Sequence, residues 1–282
     1  MLYTTVMNDT REVCILHANC QGEPLAELLA ASPEFASRWR VHLYTNYTRE
    51  AIPDALLKTA TLFLYQHLGP EWGDVASGTL LARLGPAAVP VCIPNMFFLG
   101  YWPFWTKDSP MEFGDYFLDK LYEAGAGKAE ILRVYLHGDV SRMADLPGIA
   151  ARTLAAEAAK EERCAVKTAD FVAANWRKTR LFQTVNHPAE VLLVHVAQGL
   201  LDHLGLPRLP EAFCQIYSFG YEGFDLPIHP KVAAFHTLPF AGEDAVYPVF
   251  GRSMTFTQYV SRYIDCRLNH MEEGFLGYLQ MV

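Results

Sequence analysis

Val13-Cys-Ile-Leu-His-Ala-Asn-Cys-Gln-Gly-Glu-Pro-Leu25 is the stretch that decides the fold. Its apolar run, residues 13–16, ends in the polar group His17, Asn19, Cys20 and Gln21. Gly22 and Pro24 follow, and Leu25, Leu28 and Leu29 then recur at helical spacing. This pattern reads as a buried strand, a tight turn and the start of a helix. Open α/β sheets bind their ligands at the carboxyl ends of strands, so the turn is the first candidate site. Unpaired N–H groups at a helix start favour an anion and lower the pKa of a thiol, which makes Cys20 a candidate nucleophile.

Working outward, the first hundred residues alternate between strand and helix. Residues 40–44, 61–65 and 89–93 read as further buried strands, and residues 24–31, 49–58 and 74–84 as helices. Pro90 marks its strand as an edge or a strand start, because proline has no amide hydrogen for a ladder. Alternation at this pace predicts a parallel sheet flanked by helices. Residues 113–136, 146–176 and 188–204 are helical by pattern, and residues 215–219 resemble a last strand. Short helical segments follow at 231–237 and 255–276. The expected architecture is a single α/β domain over residues 1–282, with residues 113–204 as a large, mostly helical insertion. Between the two patterns, residues 94–108 hold Phe97, Phe98, Tyr101, Trp102, Phe104 and Trp105 among Gly and Pro. This segment either closes one end of the core or walls a pocket, since aromatic loops do both.

Composition narrows the function classes. With 51% hydrophobic and 19% charged residues among 282, a sizeable core is available and disorder is not expected. The net charge of −8 argues against a general nucleic-acid binder, which needs a basic footprint. No apolar run reaches the roughly 18 residues of a membrane span, and residues 1–11 lack the pattern of a signal peptide. The six cysteines form no CxxC pair, and the histidines show no HxH or HExxH spacing, so no metal site is expected. Scattered cysteines in a large, core-rich chain suit a reducing cytoplasm. The oligomeric state is left open.

A second constellation is Asp225-Leu-Pro-Ile-His-Pro230. An Asp four residues before a His, with prolines around it, can present carboxylate and imidazole together. His229 then reads as a general base oriented by Asp225, with the capping of the next helix as the alternative. A nucleophile after the first strand and an Asp–His pair near the end of the chain resemble the layout of SGNH-type esterases and acyltransferases. Cys20 stands where those proteins carry a Ser, and their Gly-Asp-Ser signature is absent. A Cys–His pair is chemically sound for the same work. Gln66 and His67 end the third strand and Asn95 follows the fourth. All three are expected beside the Cys20 turn, as oxyanion or ligand contacts. For Gln66 the alternative is a strand-end residue that bonds loop backbone.

Four segments together resemble the WcbI family of capsular polysaccharide biosynthesis proteins over roughly residues 12–240. They are His17-Ala-Asn-Cys-Gln21, Tyr65-Gln-His67, Leu181-Phe-Gln-Thr-Val-Asn-His-Pro188 and Pro227-Ile-His-Pro230. The resemblance implies an O-acetyltransferase that takes coenzyme A or acetyl-coenzyme A as donor and a sugar or polysaccharide precursor as acceptor. Cys20, His229 and Asp225 are then catalytic. His17, Asn19, Gln21, Gln66, His67, Asn95 and His187 line the cofactor. The phosphates need cations, and the basic run at Arg177, Lys178 and Arg180 offers them, with Arg152 and Lys167 as further candidates. Two other readings share this layout: an esterase or deacetylase, and a non-catalytic protein that binds coenzyme A or a glycan.

Overall fold

The structure, a computed structural model, describes residues 10–221 and 223–281. In its first hundred residues the chain runs β1 (Glu12–Ala18), α1 (Gly22–Ala30), α2 (Pro33–Arg38), β2 (Trp39–Thr45), α3 (Asp54–Thr59), β3 (Ala60–Gln66), α4 (Ser77–Arg83) and β4 (Val89–Ile93). Then come α5 (Tyr116–Glu123), α6 (Lys128–His137), α7 (Val140–Met143), α8 (Leu146–Lys160), α9 (Ala169–Asn175), and a hairpin of β5 (Phe182–Thr184) and β6 (His187–Pro188). The chain ends with α10 (Glu190–His203), α11 (Glu211–Ile216), α12 (Pro230–His236), the hairpin β7 (Val246–Val249) and β8 (Arg252–Thr255), α13 (Phe256–Leu268) and α14 (Phe275–Met281). The fold class is α/β, as the alternation predicts. Among the described residues, no helix is long and apolar enough to cross a membrane.

Two compact units divide the chain. The first comprises the described residues up to Asn95, with Lys160–Thr168 and Val191–Tyr217. The second comprises Met96–Ala159, Ala169–Glu190 and the chain from Ser218 onward.

The first unit is built on a four-stranded parallel sheet of order β2-β1-β3-β4. Residues Cys14 to Ala18 of β1 are all buried, with His17 at 1% exposure. A parallel strand covered on both faces must be apolar almost throughout, which is why this segment shows no alternation. On one face Ile15 joins Phe63, Ile52, Leu57, Ala60 and Leu80 in a core cluster. On the other, α1 buries Leu25, Leu28 and Leu29. Gly22 lets that helix approach the sheet: a Cβ there would lie 2.8 Å from Leu43 Cδ1 and 3.0 Å from Ala18 Cβ. Pro90 falls on β4 at the sheet's edge, where a missing amide hydrogen costs little.

In the second unit the aromatic loop forms core. Tyr101, Trp102 and Phe104 are buried, Phe98 stacks on Phe182, and the Tyr101 hydroxyl donates to Trp176 O at 2.6 Å. The same loop lines a cavity of about 40 Å3 together with Phe113, Asp115, Tyr135 and Tyr259. The loop therefore packs as core, and the small cavity it lines has room for about one water.

Two local expectations are corrected. Residues 215–219 are not a strand: α11 occupies Glu211–Ile216, started by Pro210, and Phe213 meets Tyr217 four residues on with ring centroids 6.0 Å apart. That spacing is helical. The helix expected at 49–58 begins only at Asp54, because Pro53 takes the N-cap.

Candidate functional site

All four strands of the sheet end at one edge, and each end is followed by polar residues. Asn19, Cys20 and Gln21 follow β1, Asn46 follows β2, Gln66 and His67 close β3, and Pro94 and Asn95 follow β4. The chain leaves β1 for β2 on one side and returns to β3 on the other, so the strand order reverses between β1 and β3. Ligands of open parallel sheets bind outside the strand ends at such a reversal.

Gln66 is the hub of this edge. Its Oε1 accepts from the backbone N–H of Asn19 at 2.8 Å and from Asn46 Nδ2 at 3.4 Å. Its Nε2 donates to Gln21 Oε1 at 3.2 Å and to Pro94 O at 3.1 Å. Asn19 Nδ2 donates to Asn95 Oδ1 at 3.1 Å, and Asn19 Oδ1 accepts from the Gln21 backbone N–H at 2.9 Å. The Gly22 N–H closes the turn on Asn19 O at 2.9 Å. Lys160 Nζ donates to Asn95 O at 3.1 Å, adding a cation at the same edge. These amides mostly satisfy one another. Gln66 therefore positions the turn, and an oxyanion role for it is not what its bonds describe.

Cys20 is half-buried, and the backbone N–H groups of Cys20 and Gln21 point at its sulfur. Those N–H groups favour the thiolate, but burial outweighs them and pushes the thiol from 9.0 up to about 11. That rise is worth roughly 3 kcal/mol, against about 0.3–1 kcal/mol for a helix N-terminus. The expected low pKa is thus corrected: Cys20 rests as a neutral thiol. His17 lies beneath the turn, buried, with no partner for Nδ1, and desolvation pulls its pKa down to about 4. His67 is exposed at the end of β3, its pKa lowered by partial desolvation and the charge of Arg163.

Of the remaining predicted site residues, Lys167 lies in the first unit, with its Nζ donated to Glu161 O and Glu162 O, and the others fall in the second. The Asp225–His229 pairing is corrected. Asp225 Oδ2 binds Arg180 Nη1 at 2.8 Å. His229 Nε2 donates to Tyr135 O at 3.0 Å, and its Nδ1 accepts from the Lys231 backbone N–H at 3.1 Å, capping α12. Both ring nitrogens are engaged, and desolvation holds the imidazole down at about 4, so His229 has no lone pair for a general base. A role for Arg180 at coenzyme A phosphates is corrected as well. Its Nε donates to Phe182 O and its Nη2 to Gln183 O and Leu226 O, and its guanidinium lies over the Tyr247 ring. Every face of that cation serves the fold. Arg177 is exposed over Trp176. His187 sits in β6, stacked on Tyr221 at 4.2 Å and 6°, with desolvation lowering its pKa to about 4.

The turn's neighbours Asn46 and Lys160 escape the sequence reading. Asn46 was findable, because it follows β2 as Asn19 follows β1. Lys160 lies in a helical stretch where its sequence neighbours give no sign of the sheet.

The family model described as "Polysaccharide biosynthesis enzyme WcbI" matches residues 13–209. No curated protein matches the chain. A solved structure of WcbI superposes with a TM-score of 0.77 at 18% identity, covering 96% of this chain and 94% of that one. It is described as a novel polysaccharide biosynthesis enzyme, in a native form without a disulfide bond between coenzyme A and one of its cysteines.

Proposed function

We propose, from the premise that the chain belongs to the WcbI family of polysaccharide biosynthesis enzymes, that it transfers an acyl group from coenzyme A to a hydroxyl of a sugar or polysaccharide precursor. The observation that carries this reading is the Cys20 turn, held by Asn19, Gln66 and Asn95 at the strand-order reversal of a parallel sheet. The solved WcbI structure is described by reference to a disulfide between coenzyme A and a cysteine. In this chain we give that place to Cys20.

The chemistry follows from the state of the thiol. A neutral, half-buried Cys20 is a weak nucleophile, because the thiolate is the attacking form. It is suited to line the place where the donor's sulfur lies. The acceptor hydroxyl then attacks the thioester carbon directly, its O–H and the carbon–sulfur bond break, and coenzyme A leaves as the free thiol carrying the hydroxyl's proton. Asn95 is exposed and offers its amide to the donor, and Lys160 places a positive charge beside it.

Calorimetry with coenzyme A and acetyl-coenzyme A, followed by acetyl-transfer assays on sugar acceptors with Cys20→Ala and Cys20→Ser, tests the reading. The expected result is coenzyme A binding by the wild type and near-wild-type turnover by Cys20→Ala at saturating donor. Loss of turnover in Cys20→Ala, together with an acetylated Cys20 in the wild type, establishes covalent transfer instead. Hydrolysis of simple acyl esters without coenzyme A binding overturns the transferase reading in favour of a hydrolase.

A further inference from the structure

Cys92, on β4, and Cys164, in the Lys160–Thr168 segment, belong to the same unit and bring their sulfurs to 3.5 Å. Both side chains are buried, at 7% and 8% exposure. Their backbones run side by side, since the Ala165 N–H donates to Cys92 O at 2.9 Å. A disulfide needs the sulfurs at about 2.0 Å, so a side-chain shift of about 1.5 Å completes the bond. The Cys92 sulfur also receives the backbone N–H of His67, the residue after Gln66.

The surroundings divide the roles. The hydrogen bond between the two sulfurs, ahead of the charges of Arg163 and Lys167, holds Cys92 below the ordinary thiol value. Cys164 is driven the other way by that same bond and by burial. Cys92 is therefore the first to lose its proton and Cys164 the one to keep it.

We infer that Cys92 and Cys164 are a peroxide-sensitive dithiol that closes to a reversible disulfide and staples the Lys160–Thr168 segment to β4. The Cys92 thiolate attacks one oxygen of hydrogen peroxide, the O–O bond breaks, and the departing hydroxide takes up a proton to become water. The Cys164 sulfur then attacks the sulfenic sulfur, its proton leaves with the hydroxyl as a second water, and the S–S bond forms. Two thiols lose two electrons and two protons, and one peroxide becomes two waters. A dithiol reductant reverses the bond by exchange. The inference is independent of the acyl-transfer reading.

The test is peroxide titration of the full chain, alkylation of the remaining thiols and peptide mapping without reductant. The expected product is a Cys92–Cys164 crosslinked peptide, lighter by two hydrogens and released by dithiothreitol. The loop it closes spans 72 residues, so Tm should rise by about 5 °C on oxidation. In Cys164→Ser the crosslink disappears and a sulfenic acid at Cys92 becomes trappable by dimedone. If that variant does not fold, the wild-type map decides alone. The inference is overturned if both thiols stay alkylatable at peroxide levels that oxidise Cys20, or if Cys92 is found bonded to any other cysteine.

Discussion

Lowering the pH from 7.5 to 5.5 probes how tightly His229 is sealed. Its ring is surrounded by Phe104, Tyr135 and Phe256, at centroid distances of 6.3, 5.2 and 4.8 Å. Nε2–H is donated to Tyr135 O and Nδ1 accepts the cap bond from Lys231. A second proton must go to Nδ1, where it faces the Lys231 N–H and destroys the cap, and the Lys231 ammonium nearby opposes it further. The folded imidazole therefore titrates at about 4, against 6.5 in the unfolded chain. Because the folded value is the lower one, the unfolded state binds more protons between the two. Stability is full above pH 6.5 and is lost as the pH falls through that window. One pH step below 6.5 corresponds to about 1.4 kcal/mol, and the loss approaches roughly 3 kcal/mol near pH 4.

Asp115 acts in the opposite direction, because burial raises its carboxyl to about 7 and acidification favours its folded form. The wild-type profile alone is therefore a mixture, and a difference between two proteins is needed. His229→Asn supplies it, since Asn is a good N-cap and does not titrate. The variant should be less stable at every pH through lost ring packing. Urea unfolding followed by circular dichroism should show the wild type losing about 1.4 kcal/mol more than the variant between pH 7.5 and 5.5. Equal losses in the two proteins, within about 0.3 kcal/mol, would refute the sealed, neutral His229 and reopen its candidacy as a base.

Gln66→Leu removes the side-chain bonds to the Asn19 N–H and the buried Pro94 O, so thermal unfolding should show a loss of about 2–3 kcal/mol. Calorimetry on the folded variant should show coenzyme A binding at least about tenfold weaker, about 1.4 kcal/mol, and an unchanged affinity contradicts a positioning role. Arg180→Met strands the Asp225 carboxylate, and chemical denaturation should report a cost of about 3–5 kcal/mol. The affinity of the folded protein for coenzyme A should not change, and a selective loss of affinity without a loss of stability would return Arg180 to the phosphate site.

How far the sequence reaches depends on how local the cause is. The four sheet strands and the Gln66 edge are legible because burial on both faces forces continuous apolar runs and parallel register brings every strand end to one side. Asn19, Gln21, Gln66 and Asn95 could therefore be grouped before any coordinate was known. Asp225 and His229 could not be paired on spacing alone. Four residues across a proline-fixed loop say nothing about which way the carboxylate turns, and its partner Arg180 lies 45 positions upstream by sequence number. The Cys20 thiol fails for a related reason. The helix start that lowers its pKa is visible in Gly22 and Pro24, whereas the burial that raises it exists only in the folded chain.

The imbalance at Cys20 also bears on why the turn is held by amides. Among the groups bonded to Gln66 there is no charge, only the Asn19 N–H, the Asn46 and Gln21 amides and the Pro94 carbonyl. An ion pair at this position would pull the neighbouring thiol toward one protonation state. A mutually satisfied amide lattice fixes geometry and leaves that equilibrium to solvent access. Resting Cys20 is therefore neutral because it is dry, and whatever occupies the turn sets its ionisation: an apolar acyl chain keeps it a thiol, and a cation or further N–H donor draws it toward thiolate. A thioester already carries its own sulfur leaving group, so acyl transfer at this edge requires placement of the donor and no ionised Cys20. That requirement matches what the residues around Gln66 provide.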